Sequence, residues 1–268
     1  MKRLFFACLA AALLCFPAAA QRLVIIHTND THSQIEPMRL GANAGLGGVD
    51  RRLQFIDSVK AVYGAKKVLV VDAGDYDQGT PYFTVGGGDL EMALMDVLGY
   101  DAATIGNHEF DNGIDEFARR LASAKFPTVC CNYDFSGTAL EPYVKPYTII
   151  RRGGMKIGVV GATTDLTGLV SGKVMDQISY KDFITEVNSC AKYLRHKCHC
   201  NMVICLSHLG YEEDQELAAA SEDLDIIIGG HTHTVMEEAK EVKNLNGRVV
   251  PVVQVGNKGT RVGVFKIY

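Results

Sequence analysis

The sequence has no tryptophan among its 268 residues, only seven prolines, and no excess of basic charge; its formal net charge is -4. The missing tryptophan excludes nothing. The missing basic excess argues against nonspecific binding to a nucleic acid polymer, which needs a cationic surface for the phosphate backbone. After the first twenty residues no apolar run is long enough to cross a bilayer, which excludes an integral helical segment in the rest of the chain. There is no internal repeat, low-complexity tract or linker. Cys198-His199-Cys200 lacks a second close pair of ligands, so buried or disulfide-bonded cysteine is a better reading there than a zinc knot.

What is present begins with a leader. MKRLFFACLAAALLCFPAAA has a basic start, an apolar stretch from Leu4 to Phe16 and small residues before Gln21. This pattern predicts a secretory signal peptide over residues 1–20, cut between Ala20 and Gln21, and hence a periplasmic or extracellular protein. A lipoprotein anchor at Cys15 fits poorly, because the bulky Leu14 stands where a small residue is expected. The mature chain, residues 21–268, would carry a charge of -6 and has room for one large domain. Its six cysteines allow fifteen complete pairings in an oxidising compartment, and the sequence does not choose among them.

Apolar, β-branched segments recur along the mature chain: LVIIHT (23–28), KVLVVDAGD (67–75), TVCCN (128–132), MKIGVVGAT (155–163), NMVICLSH (201–208) and LDIIIGGHTH (224–233). Their near-continuous hydrophobicity predicts strands covered on both faces. Amphipathic patterns over 49–63, 89–99, 114–124, 180–196 and 212–222 predict helices between them. The alternation predicts an α/β fold, with mixed or parallel sheets under helices. The tail, VVPVVQVGNKGTRVGVFKI, reads as two strands joined by a GNKG turn.

Polar residues collect where these strands end. The first yields Asp30 and His32, the second Asp72 and Asp75, and the IGNHEFD segment Asn107 and His108. Two later ones yield His208, then His231 and His233. In open α/β sheets ligands gather beyond the carboxyl ends of strands, so five loops are placed to converge on one site. Carboxylate, imidazole and amide groups without thiolate suit hard-to-borderline divalent metals such as Mn, Zn, Fe or Mg. The donors outnumber the needs of one metal with an open position. Two metals sharing a carboxylate would use them, and paired metals can clamp a phosphate and activate water for in-line attack. Asp75, flanked by Gly74 and Tyr76, is the natural bridge, with both of its oxygens expected to reach. His231 and His233 follow two glycines and alternate to one side. Other residues read as structural: His27 as a packed histidine, His196 and His199 as groups at a helix end. Asp72 is either a turn residue or a group that fixes the tautomer of a ligand histidine.

The blocks D-x-H, G-D, G-N-H-E, a later histidine and G-H-T-H resemble the calcineurin-like metallophosphoesterase superfamily. HTNDTHS, GNHEFD and GGHTHT resemble more closely the catalytic domain of secreted 5'-nucleotidases, a group that includes UDP-sugar hydrolases and 2',3'-cyclic-nucleotide phosphodiesterases. The resemblance covers nearly all of the mature chain and implies a layered α/β-β-α domain. It implies two divalent ions, of Mn, Zn, Fe, Co or Mg. One is held by Asp30, His32, Asp75 and His233, the other by Asp75, Asn107, His208 and His231. It implies that His108 is no ligand but faces the phosphate, and that Asp111 holds it. Activated water then attacks phosphorus. The substrate class implied is a small phosphorylated molecule, foremost a nucleoside 5'-monophosphate. Hydrolysis of UDP-sugars or cyclic nucleotides is the alternative, and a metal-binding partner protein without activity is the non-enzymatic one.

Family members carry a C-terminal domain that stacks the nucleobase and supplies arginines to the phosphate. That domain is expected to be absent here, since the sequence stops at Tyr268. The metal chemistry should survive. Recognition of the base would then be broad, or be supplied by a separately encoded specificity domain, unless the sequence is a piece of a longer chain.

Overall fold

The computed structural model describes residues 22–268, so the leader expected over residues 1–20 lies outside the described part. Six strands form a first sheet. In spatial order they are β14 (Gly263–Ile267), β1 (Leu23–Thr28), β2 (Val68–Asp72), β3 (Ala102–Thr104), β4 (Thr128–Val129) and β6 (Val144–Lys145). From β1 to β6 the neighbours run parallel, and β14 closes one edge antiparallel to β1. A second sheet has the order β12 (Lys240–Lys243), β13 (Val249–Val253), β11 (Ile226–Ile228), β10 (Met202–His208), β8 (Met155–Thr163) and β7 (Tyr147–Arg152). Its four inner strands are parallel and both edges antiparallel. A short ribbon pairs β5 (Tyr133–Asp134) with β9 (Ser179–Tyr180).

Side chains alternate across each strand, and the alternation sorts the apolar residues into three layers. Leu23, Ile25, Leu69 and Val71 of the first sheet meet Ile157, Val159, Ile204, Leu206 and Ile228 of the second between the sheets. Val24, Ile26, Val68 and Val70 face outward under α1 (Val49–Tyr63), α3 (Asp89–Leu98) and α4 (Gly113–Leu121). Val160, Val203, Cys205 and Ile227 face the opposite way, under α6 (Phe183–Lys192) and α7 (Tyr211–Ala219). This is a four-layer α-β-β-α stack, and both faces of the central strands are dry, as their continuous apolar runs predict.

Helix α1 and strands β1 and β8 cover the residues expected from the pattern. Elsewhere the elements are shorter. TVCCN contributes only Thr128–Val129 as strand, because the backbone then turns to the other sheet, where Cys131 N–H donates to Gly161 O at 2.8 Å. The tail differs more. Its two strands exist, but β13 lies in the second sheet and β14 in the first. GNKG is therefore part of a crossing between sheets and not a hairpin turn.

At Gly161 the sheets approach closely. A Cβ there would lie 2.0 Å from the carbonyl oxygen of Val129 and 2.7 Å from Thr104 Oγ1. Backbone cannot yield that far without separating the sheets. Gly161→Val is expected to lower stability by about 3 kcal/mol or more, at the upper end of overpacking costs. Chemical denaturation measures this, and a change below about 1 kcal/mol would contradict the close approach.

Candidate metal centre

The strand pairing of β1 and β2 does not end with the strands. Ala73 N–H donates to Thr28 O, Asp30 N–H to Gly74 O, His32 N–H to Asp75 O and Ser33 N–H to Tyr76 O, all at 2.9–3.0 Å. This continued ladder carries both loops to the same end of the stack. Asp30, His32, Asp75, His231 and His233 all have φ between +44° and +72°, a region costly for residues with a Cβ. Five of the nine non-glycine residues with positive φ among the described residues are thus predicted ligands. Such strain persists only where surrounding contacts over-determine it.

Two groups of donors meet there. Asp30, His32 and His233 form one cluster and Asp75, His208 and His231 another, with ligand atoms in each within 4.8 Å of one another. Asp30 Oδ1 lies 3.2 Å from His233 Nε2 and 3.8 Å from His32 Nε2. Asp75 Oδ2 lies 3.1 Å from His208 Nε2 and 4.0 Å from His32 Nε2, so it faces both clusters. Asn107 Oδ1 lies 3.1 Å from His231 Nδ1, which places the amide in the second group. Asp75 Oδ1 accepts the backbone N–H of His108 at 2.9 Å, and Oδ2 points between the clusters.

The protons decide what these groups can bind. His208 Nδ1 lies 2.7 Å from Ala73 O, a carbonyl that can only accept, so Nδ1 carries a hydrogen. In the neutral ring the Nε2 lone pair then points at Asp75 Oδ2, acceptor against acceptor, in a fully buried place. A proton or a metal cation must lie between them. Burial opposes charge on His208, but the carboxylates of Asp75 and Asp30 outweigh it and push its pKa up to about 10 without a metal. The same balance holds Asp75 well below the usual carboxylate range: burial works against its charge, and His208 and His32 more than compensate. His32 and His231 go the other way, their pKa values lowered chiefly by burial, which keeps their lone pairs free. Carboxylates, an amide and imidazoles with directed lone pairs fit a pair of divalent cations, of Mn, Zn, Fe, Co or Mg type.

His108 sits beside both clusters, its ring edge-on to His32 at 5.4 Å between centroids. With His32 and Asp75 it also falls within ligand range. Its hydrogen bonding argues for a different use. Nδ1 lies 3.0 and 3.2 Å from the two oxygens of Asp111, and that hydrogen bond raises the pKa of His108, against partial burial. With Nδ1 on Asp111, the ring in its protonated form has no lone pair for a metal and attracts an anion.

Glu109, to which the sequence suggested no role, is fully buried. Its carboxylate accepts the N–H groups of Gly106 (2.5 Å), Asp75 (3.0 Å), Tyr76 (2.9 Å) and Asp77 (3.2 Å). One side chain therefore ties the loop after β2 to the loop after β3. Gln254 does the same for the last loop: Nε2 donates to Gly230 O at 2.7 Å, and Oε1 accepts from Thr234 N–H. Neither was visible as a site residue, because the donors and acceptors they serve are distant in sequence. The glycines before His231 are there for room. A Cβ on Gly229 would lie 2.1 Å from Asp214 Oδ2, and one on Gly230 2.8 Å from His208 Nδ1.

Of the remaining candidates, Asp72 is a turn residue: it accepts from Thr28 Oγ1 (2.5 Å) and Gly74 N–H (2.9 Å) and touches no ligand histidine. His27 is packed against Gly263, and burial lowers its pKa to about 4. His196 pairs with Asp223 at 3.2 Å. All six cysteines of the described residues are unpaired, and Cys198 and Cys200 belong to no ligand cluster found among those residues.

Known proteins are similar to this chain in sequence and fold. The family model described as calcineurin-like phosphoesterase matches residues 23–235. A snake venom 5'-nucleotidase of Gloydius brevicauda is 34% identical over 96% of this chain and 47% of its own length. The crystal structure of a 5'-nucleotidase precursor from Thermus thermophilus superposes with a TM-score of 0.84 at 34% identity, covering 92% of this chain and 51% of that one. The NAD nucleotidase of Haemophilus influenzae gives 0.81 at 29%, covering 91% and 52%. The chain spans about half the length of the curated relatives it matches. It belongs to the calcineurin-like phosphoesterase family and is closely related to the 5'-nucleotidases.

Proposed function

We propose that this chain hydrolyses phosphate monoesters, foremost nucleoside 5'-monophosphates, at a dinuclear metal site in an exported protein. The observation that carries the reading is a histidine held by a carboxylate, His108 on Asp111, set against two clusters of metal donors with Asp75 facing both. Asp30, His32, Asp75 and His233 would hold one ion, and Asp75, Asn107, His208 and His231 the other. When bound, such a pair supplies Lewis acidity and an activated water. The 5'-nucleotidases among the relatives support the nucleotide as substrate. The leader-like residues 1–20 support export.

The chain's own chemistry follows from the placement of its protons. His108 presents its Nε2–H beside the clusters while Asp111 occupies Nδ1. Positive charge there neutralises the oxygens of a phosphoryl group as charge builds on them, and it costs no reorganisation because the ring is already fixed. Asn107 adds a neutral oxygen where a third carboxylate would repel phosphate. His108 N–H on Asp75 Oδ1 couples the position of the histidine to the shared carboxylate.

The protein loaded with manganese or zinc should release phosphate from AMP, lose this activity with chelator and regain it on metal addition. No metal-dependent turnover on AMP, UDP-glucose, 2',3'-cyclic AMP or an aryl phosphate would remove the proposal. His108→Ala should lower kcat by about 100- to 1,000-fold, the range seen for a lost charge-stabilising donor, while two metal equivalents remain bound. Loss of one equivalent in that variant would make His108 a ligand instead. The Asp111 hydrogen bond raises the pKa of His108, so its charged form persists to higher pH than in a free histidine. In Asp111→Asn that support is gone, the charge is lost at lower pH, and the alkaline limb of the kcat/KM profile should move to lower pH. An unmoved limb would show that His108 is not the group titrating there.

A further inference from the structure

Three of the candidate ligand histidines point Nε2 into the site, and each has its Nδ1 held from behind. His32 Nδ1 faces Asp77 O at 3.3 Å and His208 Nδ1 faces Ala73 O at 2.7 Å. Backbone carbonyls only accept, so they fix the Nδ1–H tautomer and leave Nε2 as a lone pair. His233 is different. Its Nδ1 lies 2.8 Å from the side-chain amide of Asn257. An amide has both a donor end and an acceptor end, and here the donor end, Nδ2, faces the ring. Donation to Nδ1 leaves the hydrogen on Nε2, where the His32 Nε2 lone pair at 2.9 Å and Asp30 Oδ1 at 3.2 Å are the acceptors. That tautomer cannot bind a metal through Nε2.

Asn257 is not a loose surface group. It sits in the GNKG turn, which crosses between the sheets and is fastened to the first donor loop at three points. Val255 N–H donates to Asn29 Oδ1 (3.0 Å), Asn29 Nδ2 donates to Gly256 O (2.7 Å), and Lys258 N–H donates to Asp30 O (2.7 Å). Lys258 adopts a φ of +56°, which the clamp imposes. The turn thus presents Asn257 to His233 in a register set by Asn29 and Asp30, the residues at the cluster His233 completes.

We propose that Asn257 is a positioning residue that sets the tautomer of His233, and that its amide turns over when a divalent cation enters the Asp30–His32–His233 cluster. Without the cation the amide donates Nδ2–H to Nδ1, and the Nε2–H faces Asp30. With the cation in place the ring hydrogen resides on Nδ1, and the amide accepts it through Oδ1. One proton moves between the two nitrogens of one ring by way of solvent, since His233 is the most exposed of the candidate ligand histidines (40% for its side chain). No other atoms change. Asparagine serves both states, aspartate serves the cation-bound state, and leucine serves neither. The inference rests on the dinuclear reading of the site and is independent of the substrate.

The test compares wild type, Asn257→Asp and Asn257→Leu by stepwise zinc titration with a competing chelator, together with 15N spectra of histidine-labelled protein. Wild type is expected to bind two equivalents, with His233 in the Nδ1–H tautomer when loaded and not before. Asn257→Leu should weaken one of the two sites by about 10- to 100-fold, the usual effect of losing a group that orients a metal-binding histidine, and leave the other unchanged. Asn257→Asp should bind at least as tightly as wild type. Metal-free thermal unfolding of all three should coincide, because only a hydrogen bond at a half-exposed turn is altered. Wild-type affinity at both sites in Asn257→Leu would overturn the proposal. So would an equal loss in Asn257→Asp and Asn257→Leu, which marks a merely structural turn. A wild type that binds a single equivalent would instead overturn the dinuclear reading itself.

Discussion

A lone pair and a carboxylate oxygen face each other 3.1 Å apart, between His208 Nε2 and Asp75 Oδ2, in the buried seam where the two sheets meet. Both atoms are buried, and the carbonyl of Ala73 prevents the ring from offering its other nitrogen. Such a contact is repulsive unless positive charge lies in it. Without a metal the protein must protonate His208, which its raised pKa permits. With one, the same geometry becomes a coordination site. The chain has built an electrostatic problem with a divalent cation as its natural solution, and the reactive chemistry follows from that.

The rest of the stack holds this problem in place. Parallel strands from both sheets end at one edge, so loops from β1, β2, β3, β10 and β11 arrive together. Loops are held less firmly than strands, and this site replaces strand pairing with side-chain clamps. Glu109 gathers four N–H groups from two loops, Gln254 spans the GGHTHT loop, and Asn29 fastens the 255–258 turn. The buried pair of Asp77 with Arg120, whose guanidinium also donates to Glu109 O, extends the same anchoring into α4. Positive φ at five candidate ligands is the strain these clamps sustain. Gly161 and Gly230 supply the close approaches that no larger residue would allow.

How much of this could be read beforehand follows from where each signal lies in the chain. Strands β1 and β8 and helix α1 carry their whole pattern locally, so their limits were legible in hydrophobic period alone. Strands β4 and β11 were overextended, since apolar residues continue where the backbone has already left the sheet, as at Cys131. The edge strands β7 (YTIIRR) and β12 (KEVK) lie outside the long apolar runs, the first with two arginines and the second with three charged residues of four, and neither is expected from the pattern. The convergence of Asp30, His32, Asp75, Asn107, His208, His231 and His233 was legible because each ends an apolar run. The role of Glu109 was not, since three of the four groups it binds lie more than thirty residues away. GNKG read as a hairpin turn because its residues suit one. That its flanking strands belong to different sheets depends on long-range packing that local sequence does not encode.

The central claim is that the two donor clusters hold two cations bridged by Asp75. Anomalous diffraction from crystals grown with manganese measures this directly. The account predicts two peaks separated by about 3.5–4 Å, one against Asp30, His32 and His233 and the other against Asn107, His208 and His231, with Asp75 Oδ2 between them. A single peak, or a second one outside these residues, would contradict it.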